Sequence, residues 1–313
     1  MPAWALSYRG FGIGLRVPER LPGLLRAGGR RLPRSSPDGV EIRPAPPVFA
    51  RPRDPTDAGG SVLAYYGAGR ERPLPEPGAL AALPLERQVA ATRWYHTIEL
   101  PGGVVTPGAF DHRPVVPHYG IPDDLRGRRC LDAACSNGFW AFELERRGGE
   151  VVAVDVPTIA DWDLPAGTPP LDARDPDALA AAAFAIAHRA LGSRVELVRR
   201  NLYEMDPEDL GTFDLVHMAD VLLHLRNPLD ALRRLRGLVA DGGSALIADV
   251  FDPALAGPVT RYSGGFRNVI WWTPSLDCLV QMVYDAGFGS VDVVTTYSIP
   301  GGAGWRAAMR ARP

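Results

Sequence analysis

The hydrophobic positions after residue 128 fall into short apolar runs separated by longer amphipathic segments. The apolar runs predict buried strands at residues 130–132, 151–155, 194–198, 213–217 and 244–248. The amphipathic segments predict helices at residues 138–147, 178–191, 228–239 and 274–286. Strands and helices that alternate at this spacing predict an α/β fold, a Rossmann-like and mostly parallel sheet with helices on both faces. Two last strands, at 291–295 and 305–311, bring the sheet to seven and are expected to pair antiparallel at its edge.

The first third of the chain has a different pattern. Residues 1–60 contain ten prolines, which forbid long helices and predict irregular structure. Residues 77–93 predict a helix with leucines on one face. Residues 94–120 are rich in aromatic residues, histidine, glycine and proline, and predict an entry loop of the kind that often lines binding sites. We therefore expect an N-terminal extension over 1–93, irregular and then helical, and a Rossmann-like domain over 94–313.

Composition indicates the class of protein. Apolar residues make up 46% of the 313-residue chain and charged residues 22%, as in ordinary globular proteins. No apolar run is long enough to span a bilayer, and the N-terminus lacks the pattern of a secretory signal. We therefore expect a cytoplasmic protein with no membrane partner. Three cysteines are too few for a metal cluster or a disulfide framework.

The charge distribution bears on nucleic-acid binding. The net charge is −2, yet residues 1–100 hold 14 arginines against nine acidic residues, so the rest of the chain is acidic. The basic part could contact phosphates, or its arginines could serve solubility alone, because the chain has no lysine. A nucleic-acid partner therefore stays open and is not favoured.

The first predicted strand of the Rossmann-like domain runs into a turn of small residues from Asp132 to Gly138 and then into a helix. Such a turn lets backbone amides and a helix N-terminus approach a ligand. The second strand ends at Asp155, where an acid can accept hydrogen bonds from two ribose hydroxyls. Loop capping by Asp155 and turn stabilisation by Asp132 are the structural alternatives. Dinucleotide sites prefer three glycines here, so a nucleoside without a diphosphate fits better. The cationic end of S-adenosylmethionine (SAM) suits Asp132.

Several segments resemble one enzyme family. LDAACSNGFW at 131–140 resembles the first motif of class I SAM-dependent methyltransferases, and FDLVHMADVLLHLRNP at 213–228 resembles their fourth-strand motif. YSGGFRNVIWWTPS at 262–275 and the ending WRAAMRARP are similar to segments of the family that modifies wobble uridine in tRNA with carboxy-SAM. The resemblance covers residues 94–313 and implies a Rossmann-like transferase that binds SAM.

The resemblance also implies roles for single residues. It places Asp132, Ala134 and Gly138 at the methionine part of the cofactor and Asp155 at the ribose. It places Arg306 beside the transferred group. The neighbours that it implies for the adenine and the rest of the nucleoside are Asn201, Leu202, Tyr203, Met218 and Ala219.

Three departures from the family pattern bear on the cofactor. Ala134 replaces a glycine of the first motif, and its methyl group is tolerable if the backbone φ is negative. Leu223 replaces a tyrosine that the tRNA family has near the transferred carboxylate. The lysines that this family uses for the carboxylate are absent. An ionised carboxylate without partners is costly to bury, so ordinary SAM is favoured over carboxy-SAM.

Histidines are the candidate bases, because transfer to oxygen or nitrogen can need a group that titrates near neutral pH. His224 follows the fourth strand and His96 lies in the aromatic loop, and both are candidate catalytic residues, with packing as the alternative. His217 lies inside a strand and is expected to be structural. Aromatic residues could form a pocket for a planar acceptor, and arginines could bind its carboxylate or phosphate. The candidate acceptor-binding residues are Trp94, Phe110, His112, Arg261, Arg267, Trp271 and Arg306.

Three functions remain open at this stage. The favoured one is a SAM-dependent methyltransferase acting on a small molecule, in specialised natural-product metabolism. The first alternative is a tRNA wobble-uridine transferase, against which the acidic balance of residues 101–313 and the missing lysines count. The second is a methyltransferase-like fold used for elimination, for hydrolysis or as a SAM-binding subunit. A small-molecule acceptor is the expected partner, no metal is expected, and a homo-oligomer stays open.

Overall fold

The computed structural model describes residues 6–8, 11–13, 77–158, 161–166, 174–265, 269–299 and 304–313. The chain divides into two compact units, residues 1–52 and 53–313. In the first unit, β1 (Leu6–Tyr8) pairs antiparallel with β2 (Phe11–Ile13). The other described elements belong to the second unit.

Two short helices open the second unit, α1 (Pro77–Ala81) and α2 (Leu85–Ala91), where the sequence predicts one helix over 77–93. Pro84 explains the difference. It precedes α2 with an extended backbone, ψ 149°, and its ring leaves no N–H for a continuous helix. The entry loop that follows contains one antiparallel pair, β3 (Glu99–Leu100) and β4 (Val104–Val105).

The strands from residue 129 onward follow the predicted apolar runs. In chain order they are β5 (Arg129–Ala133), β6 (Glu150–Asp155), β7 (Glu196–Arg199), β8 (Phe213–Ala219), β9 (Val239–Phe251), β10 (Thr260–Tyr262), β11 (Trp272–Pro274), β12 (Ser290–Tyr297) and β13 (Trp305–Arg312). β10 and β11 form a hairpin, and the other seven form one sheet of order β12-β13-β9-β8-β5-β6-β7. Five of these strands are parallel, and β13 lies antiparallel between β12 and β9. The predicted Rossmann-like sheet with an antiparallel edge pair is confirmed.

Helices cover both faces of this sheet. They are α3 (Phe139–Arg146), α4 (Arg174–Leu191), α5 (Pro207–Leu210), α6 (Pro228–Gly237) and α7 (Leu276–Asp285). Leu144 of α3 and Ile186 of α4 are buried in one apolar cluster, and Leu232 of α6 and Leu279 of α7 in another. Period-two alternation along the strands supplies both clusters. Every helix in the described ranges is too short or too polar to cross a membrane.

The sheet has one topological switch point, between β5 and β8. The chain moves from β5 outward to β6 and β7, then returns to the other side of β5 and moves outward through β8 and β9. Ligands of open α/β sheets bind at the carboxyl ends of the strands beside such a point. The turn after β5, the end of β6 and the end of β8 all lie at this edge.

Candidate active site

The turn between β5 and α3 has an unusual backbone. Ala134 and Ser136 have φ values of 64° and 51°, and Gly138 has a φ of 88°. The condition of a negative φ, on which the methyl group of Ala134 was expected to be tolerable, is therefore not met. A left-handed backbone costs a residue with a side chain roughly 1–2 kcal/mol. Local strain of this kind is typical of ligand-binding turns.

Gly138 serves packing as well as turn geometry. A Cβ built on it would lie 2.6 Å from Cε2 of Phe142 and 2.8 Å from Cδ2 of Phe184, which come from α3 and α4. The two rings pack together with their centroids 5.2 Å apart. Only glycine lets the turn approach both helices this closely.

Asp132, at the end of β5, is 1% exposed and has one oxygen paired. Its Oδ1 lies 2.7 Å from Nδ1 of His217 on β8. Nε2 of His217 lies 3.0 Å from the hydroxyl of Tyr119 in the entry loop. Oδ2 of Asp132 has no hydrogen-bond partner among the described residues. A buried carboxylate with one oxygen fixed and the other unpartnered is suited to a ligand that brings a donor or a positive charge.

Asp155, at the end of β6, is half-buried and closes the turn after β5. Its Oδ2 accepts from the amide of Ser136 at 2.6 Å, and its Oδ1 accepts from the amide of Val156 at 2.8 Å. Burial raises the pKa of this carboxyl, against the Val156 amide and the charge of Arg199. Oδ2 also accepts weakly from Sγ of Cys135 at 3.9 Å, whereas Oδ1 keeps a second lone pair, so capping the loop and accepting a ribose hydroxyl are compatible.

The residues implied for the adenine and the rest of the nucleoside are divided between surface and core. Asn201 is half-buried, and its side chain is committed to backbone, since Oδ1 accepts from Tyr203 and Nδ2 donates to Asp161. Leu202 is 4% exposed and Met218 is fully buried in the apolar cluster under α6 and α7. Ala219 ends β8 and is partly buried. Their contact with a cofactor stays a prediction.

Two of the three histidines of the entry loop, His96 and His112, lie side by side. The ring centroids of His96 and His112 are 5.1 Å apart, and both rings pack against Phe139 of α3. Nδ1 of His96 pairs with the side-chain amide of Asn137 at 2.8 Å. Burial, together with nearby His112, lowers the pKa of His96 to about 3. His96 is therefore neutral near pH 7 and a weak proton acceptor.

His112 is fully buried beside an ion pair that the sequence did not reveal. Its Nε2 lies 3.7 Å from Oδ2 of Asp220, which follows β8. Nε of Arg306 on β13 donates to both oxygens of Asp220 at 2.8 Å. Burial alone would raise the pKa of Asp220, but His112 and Arg306 outweigh it and hold that pKa below its usual value. Both ring nitrogens of His112 and Nη1 of Arg306 lack hydrogen-bond partners among the described residues.

A second buried acid, Asp249 on β9, holds the backbone of the turn that carries Asp220. Its Oδ2 accepts from the amides of Val221 and Leu222, which follow Asp220, and its Oδ1 accepts from Val250. Burial and the charge of Asp220 raise the pKa of Asp249 to about 7. Asp220 itself has a φ of 51°. The turn after β8 is thus held by backbone donors on a buried acid.

The aromatic residues predicted to form one pocket form two groups. Phe110 packs on Tyr95, with ring centroids 4.7 Å apart, and the guanidinium of Arg306 lies 5.6 Å from its ring centroid. Trp94 is 5% exposed and its indole donates to the carbonyl of Val89, so it is part of the core. The second group surrounds Trp271.

Trp271 belongs to a separate cluster near His224. Its indole donates to the carbonyl of Asp163 at 2.7 Å, and the carboxylate of Asp163 accepts from the hydroxyl of Tyr203 and from Arg226. His224 is half-buried, and its Nδ1 lies 3.1 Å from the carbonyl of Val269. This cluster ties the chain around residues 161–166 to the chain around 269–272.

Of the two arginines predicted to bind the acceptor in that region, the structure describes only Arg261. Arg261, on β10, is largely exposed and pairs with Asp252 at 2.8 Å. Arg267 lies outside the described residues, so the structure does not test its predicted role. Catalysis by His224 and acceptor binding by Arg261 stay predictions. In the described part of the chain, no group of three or more histidine, cysteine or acidic side chains is arranged to hold a metal ion.

A family model for a methyltransferase domain matches residues 116–292, which is more than half of the chain. These residues include the turn after β5, the acids at the ends of β6 and β8, and His217. The chain belongs to this methyltransferase family. The resemblance to class I SAM-dependent methyltransferases that the motifs carried is therefore confirmed.

The curated relatives of this chain, which is called the methyltransferase below, are tRNA-modifying enzymes. It is 27% identical over 186 residues to the tRNA U34 carboxymethyltransferase of Actinobacillus pleuropneumoniae serotype 3, covering 58% of this chain and 50% of that protein. It is 30% identical over 190 residues to the enzyme of that name from Ectopseudomonas mendocina, covering 58% and 51%. The methyltransferase thus spans about half the length of the curated relatives it matches.

A solved structure shares the fold. The N-terminal domain of EvdMO1, crystallised in the presence of S-adenosylhomocysteine (SAH) and D-fucose, is 16% identical. The match covers 73% of this chain and 95% of that domain, with a TM-score of 0.53. At this identity the likeness concerns the fold alone.

Three residues of the site had no catalytic or binding role in the sequence interpretation. Asp220 lies within the fourth-strand motif, and Tyr119 lies at the end of the entry loop, but neither has a spacing that marks it. His217 was expected to be structural because it lies inside a strand. A polar side chain at a strand position between apolar neighbours was the available signal, since such a residue needs a buried partner.

Proposed function

We propose that this methyltransferase binds SAM at the turn after β5 and transfers its methyl group to a small molecule. The observation that carries the proposal is the unpartnered Oδ2 of Asp132, buried at the switch point beside the N-terminus of α3. SAM brings a cationic amino-acid end that suits this carboxylate. The SAH that accompanies the EvdMO1 domain supports the same cofactor class.

The residues present fit SAM better than a dinucleotide. Asp155 holds the turn through Ser136 and can still accept a ribose hydroxyl. A dinucleotide site would prefer three glycines in this turn, whereas here Ala134 and Ser136 precede the single glycine, Gly138. When bound, SAM supplies a methyl group activated by a sulfonium. The protein then has to orient the acceptor, exclude water and receive a proton.

His112 is the residue best placed to receive that proton. It is fully buried, its ring nitrogens have no hydrogen-bond partners among the described residues, and the carboxylate of Asp220 lies 3.7 Å from its Nε2. Because His112 and Arg306 together hold the pKa of Asp220 below its usual value, that carboxylate can stabilise the imidazolium that forms. His96 has a pKa of about 3 and is a poorer base. A hydroxyl or amine is therefore the acceptor group that we expect.

The same ion pair favours ordinary SAM over carboxy-SAM. Arg306, which the family resemblance places beside the transferred group, already faces both oxygens of Asp220. A further carboxylate there would meet a fixed negative charge and a cation that is already neutralised. The tyrosine of the tRNA family is also replaced by Leu223, which is 8% exposed.

Calorimetry with SAM, SAH and carboxy-SAM tests the cofactor site. We expect SAM and SAH to bind more tightly than carboxy-SAM. We expect Asp155→Ala to weaken the binding of SAM and of SAH without unfolding the protein. Asp285→Ala, on the exposed end of α7, is the matched control. Failure of the wild-type protein to bind SAM or SAH would refute the proposal.

A tRNA substrate is the second candidate, because the curated relatives carry that name. Incubation with labelled SAM and, separately, with labelled carboxy-SAM, each once with total tRNA and once with a small-molecule extract, separates the two. Label in the small-molecule fraction, lost in His112→Gln, supports the favoured function. Label in tRNA, with binding that weakens steeply as salt rises, would support the alternative.

A further inference from the structure

His217 is fully buried within β8, yet no step proposed above uses it. Both of its ring nitrogens have partners, Asp132 on one side and Tyr119 on the other. The three side chains form a continuous buried chain from the entry loop, through the sheet, to the turn after β5. Such a chain has a cost, because each polar group must be desolvated, so a single role in packing does not account for it.

The direction of the hydrogen bonds in this chain is fixed by its ends. The carboxylate of Asp132 can only accept, so Nδ1 of His217 donates to its Oδ1. Nε2 of the neutral ring is then the acceptor for the hydroxyl of Tyr119, which keeps its proton because burial raises its pKa well above the usual value. Trp140 stacks on Tyr119 with ring centroids 4.2 Å apart and holds it in place.

We infer that His217, oriented by Tyr119, is a positioning residue for the ligand's amino group. By holding Oδ1 of Asp132, it keeps the carboxylate in one rotamer with Oδ2 turned away from the chain toward the cofactor site. Oδ2 is the oxygen that lacks a partner among the described residues, so it is the oxygen available to an ammonium. The inference rests on the proposed SAM site and adds which residues fix its specificity for the amino-acid end.

A comparison of two ligands separates the positioning role of His217 from a general effect on folding. SAH carries the nucleoside and the amino-acid end, whereas 5′-methylthioadenosine carries the same nucleoside without the amino-acid end. Asp155 lies on the nucleoside side and Asp132 on the amino-acid side of the turn. A loss confined to the amino-acid end therefore weakens SAH and spares 5′-methylthioadenosine.

The experiment is calorimetric titration of both ligands into wild type, His217→Leu, His217→Asn and Tyr119→Phe. His217→Leu removes the donor to Asp132 and is expected to weaken SAH roughly tenfold or more, with 5′-methylthioadenosine within about twofold. His217→Asn keeps a donor near the position of Nδ1 and is expected to recover most of the SAH affinity. Tyr119→Phe is expected to have an intermediate effect, because the ring then loses the partner that sets its tautomer.

Several outcomes would overturn the inference. Equal weakening of both ligands by His217→Leu would mean a structural role only, and unchanged binding of SAH would mean no role. Failure of His217→Asn to recover affinity, with an unchanged melting temperature, would also count against it. Wild type that binds neither ligand would refute the proposed function and this inference with it, whereas wild type that binds SAH leaves the function standing in every other outcome.

Discussion

The two halves of the candidate site are held together in different ways. On the cofactor side, Asp155 binds the backbone of the adjacent turn, and every residue of that turn lies within one short segment. On the acceptor side, His112, Asp220 and Arg306 come from three distant parts of the chain and meet through charged side chains. The first half depends on local backbone geometry, and the second depends on the packing of the whole sheet.

Under the proposed function, this difference would let the fold keep its cofactor site while residues of the acceptor side change. The backbone of the turn after β5 bonds to Asp155, to Val154 and within itself, so it does not depend on the ion pair of Asp220 and Arg306. A buried ion pair depends on both partners, and loss of either leaves an uncompensated charge. The acceptor side is therefore more sensitive to single substitutions, and the following predictions test that contrast.

The largest effect is expected from Arg306→Met. The side chains of Arg306 and Asp220 are 4% and 7% exposed, so the substitution leaves a buried carboxylate without its cation. We expect about 3–5 kcal/mol of destabilisation in urea unfolding, and less than the sum of the single effects in the double variant with Asp220→Asn.

Arg312→Met is the matched control on the same strand. Arg312 pairs with Asp292 on β12, and both side chains are about half exposed or more. Its loss is expected to cost less than about 1 kcal/mol. Equal destabilisation by Arg306→Met and Arg312→Met would contradict the view that the acceptor side depends on its buried ion pair.

Gly138→Ala tests the backbone of the cofactor side. A Cβ would meet Phe142 and Phe184 at 2.6 and 2.8 Å, and the φ of 88° is unfavourable for alanine. We expect about 2–3 kcal/mol of destabilisation, from overpacking and backbone strain together. Gly127→Ala, with a φ of 69° and nothing within 4 Å, is expected to cost only about 1 kcal/mol. Equal costs would show that the two rings move aside freely.

The pH dependence of stability tests Asp249. Its folded pKa of about 7 lies above the unfolded value of about 4, so unfolding releases a proton between these pH values. Its contribution to stability is fully present below pH 4 and is lost as the pH rises through 7, at up to about 1.4 kcal/mol per pH unit. Asp249→Asn should flatten this part of the profile in urea unfolding at pH 5 to 8. An unchanged slope would mean that the three backbone donors keep Asp249 ionised in the folded protein.

The smallest effect is expected from Ala134→Gly. Glycine adopts a φ of 64° without steric cost, so the variant is expected to gain about 1 kcal/mol in thermal unfolding. SAH affinity should change little, because the turn already has the geometry that glycine would adopt. A strong loss of SAH affinity would show instead that the Ala134 methyl group contacts the ligand.

The sequence by itself was sufficient for the parts that depend on local order. Apolar periodicity predicts the seven strands and most of the helices, and the contiguous turn from Asp132 to Gly138 predicts the cofactor side. The break at Pro84 escaped the interpretation of residues 77–93, although proline marks it. The sign of φ at Ala134 also escaped, because only the surrounding packing decides whether the turn can hold an alanine in the left-handed region.

Only the tertiary structure decided the rest. The pairing of Asp220 with Arg306, the burial of His112 beside them and the chain from Tyr119 through His217 to Asp132 join residues about 85 or more positions apart. A single sequence carries no spacing rule for such contacts, since they depend on which strands become neighbours in the sheet. Burial then sets the protonation of His96 and Asp249, and it follows from the packing of the whole domain. The sequence determined the strands, most helices and the position of the turn after β5 because these depend on neighbouring residues, whereas the contacts of His112, Asp220 and Arg306 join distant residues that only folding brings together.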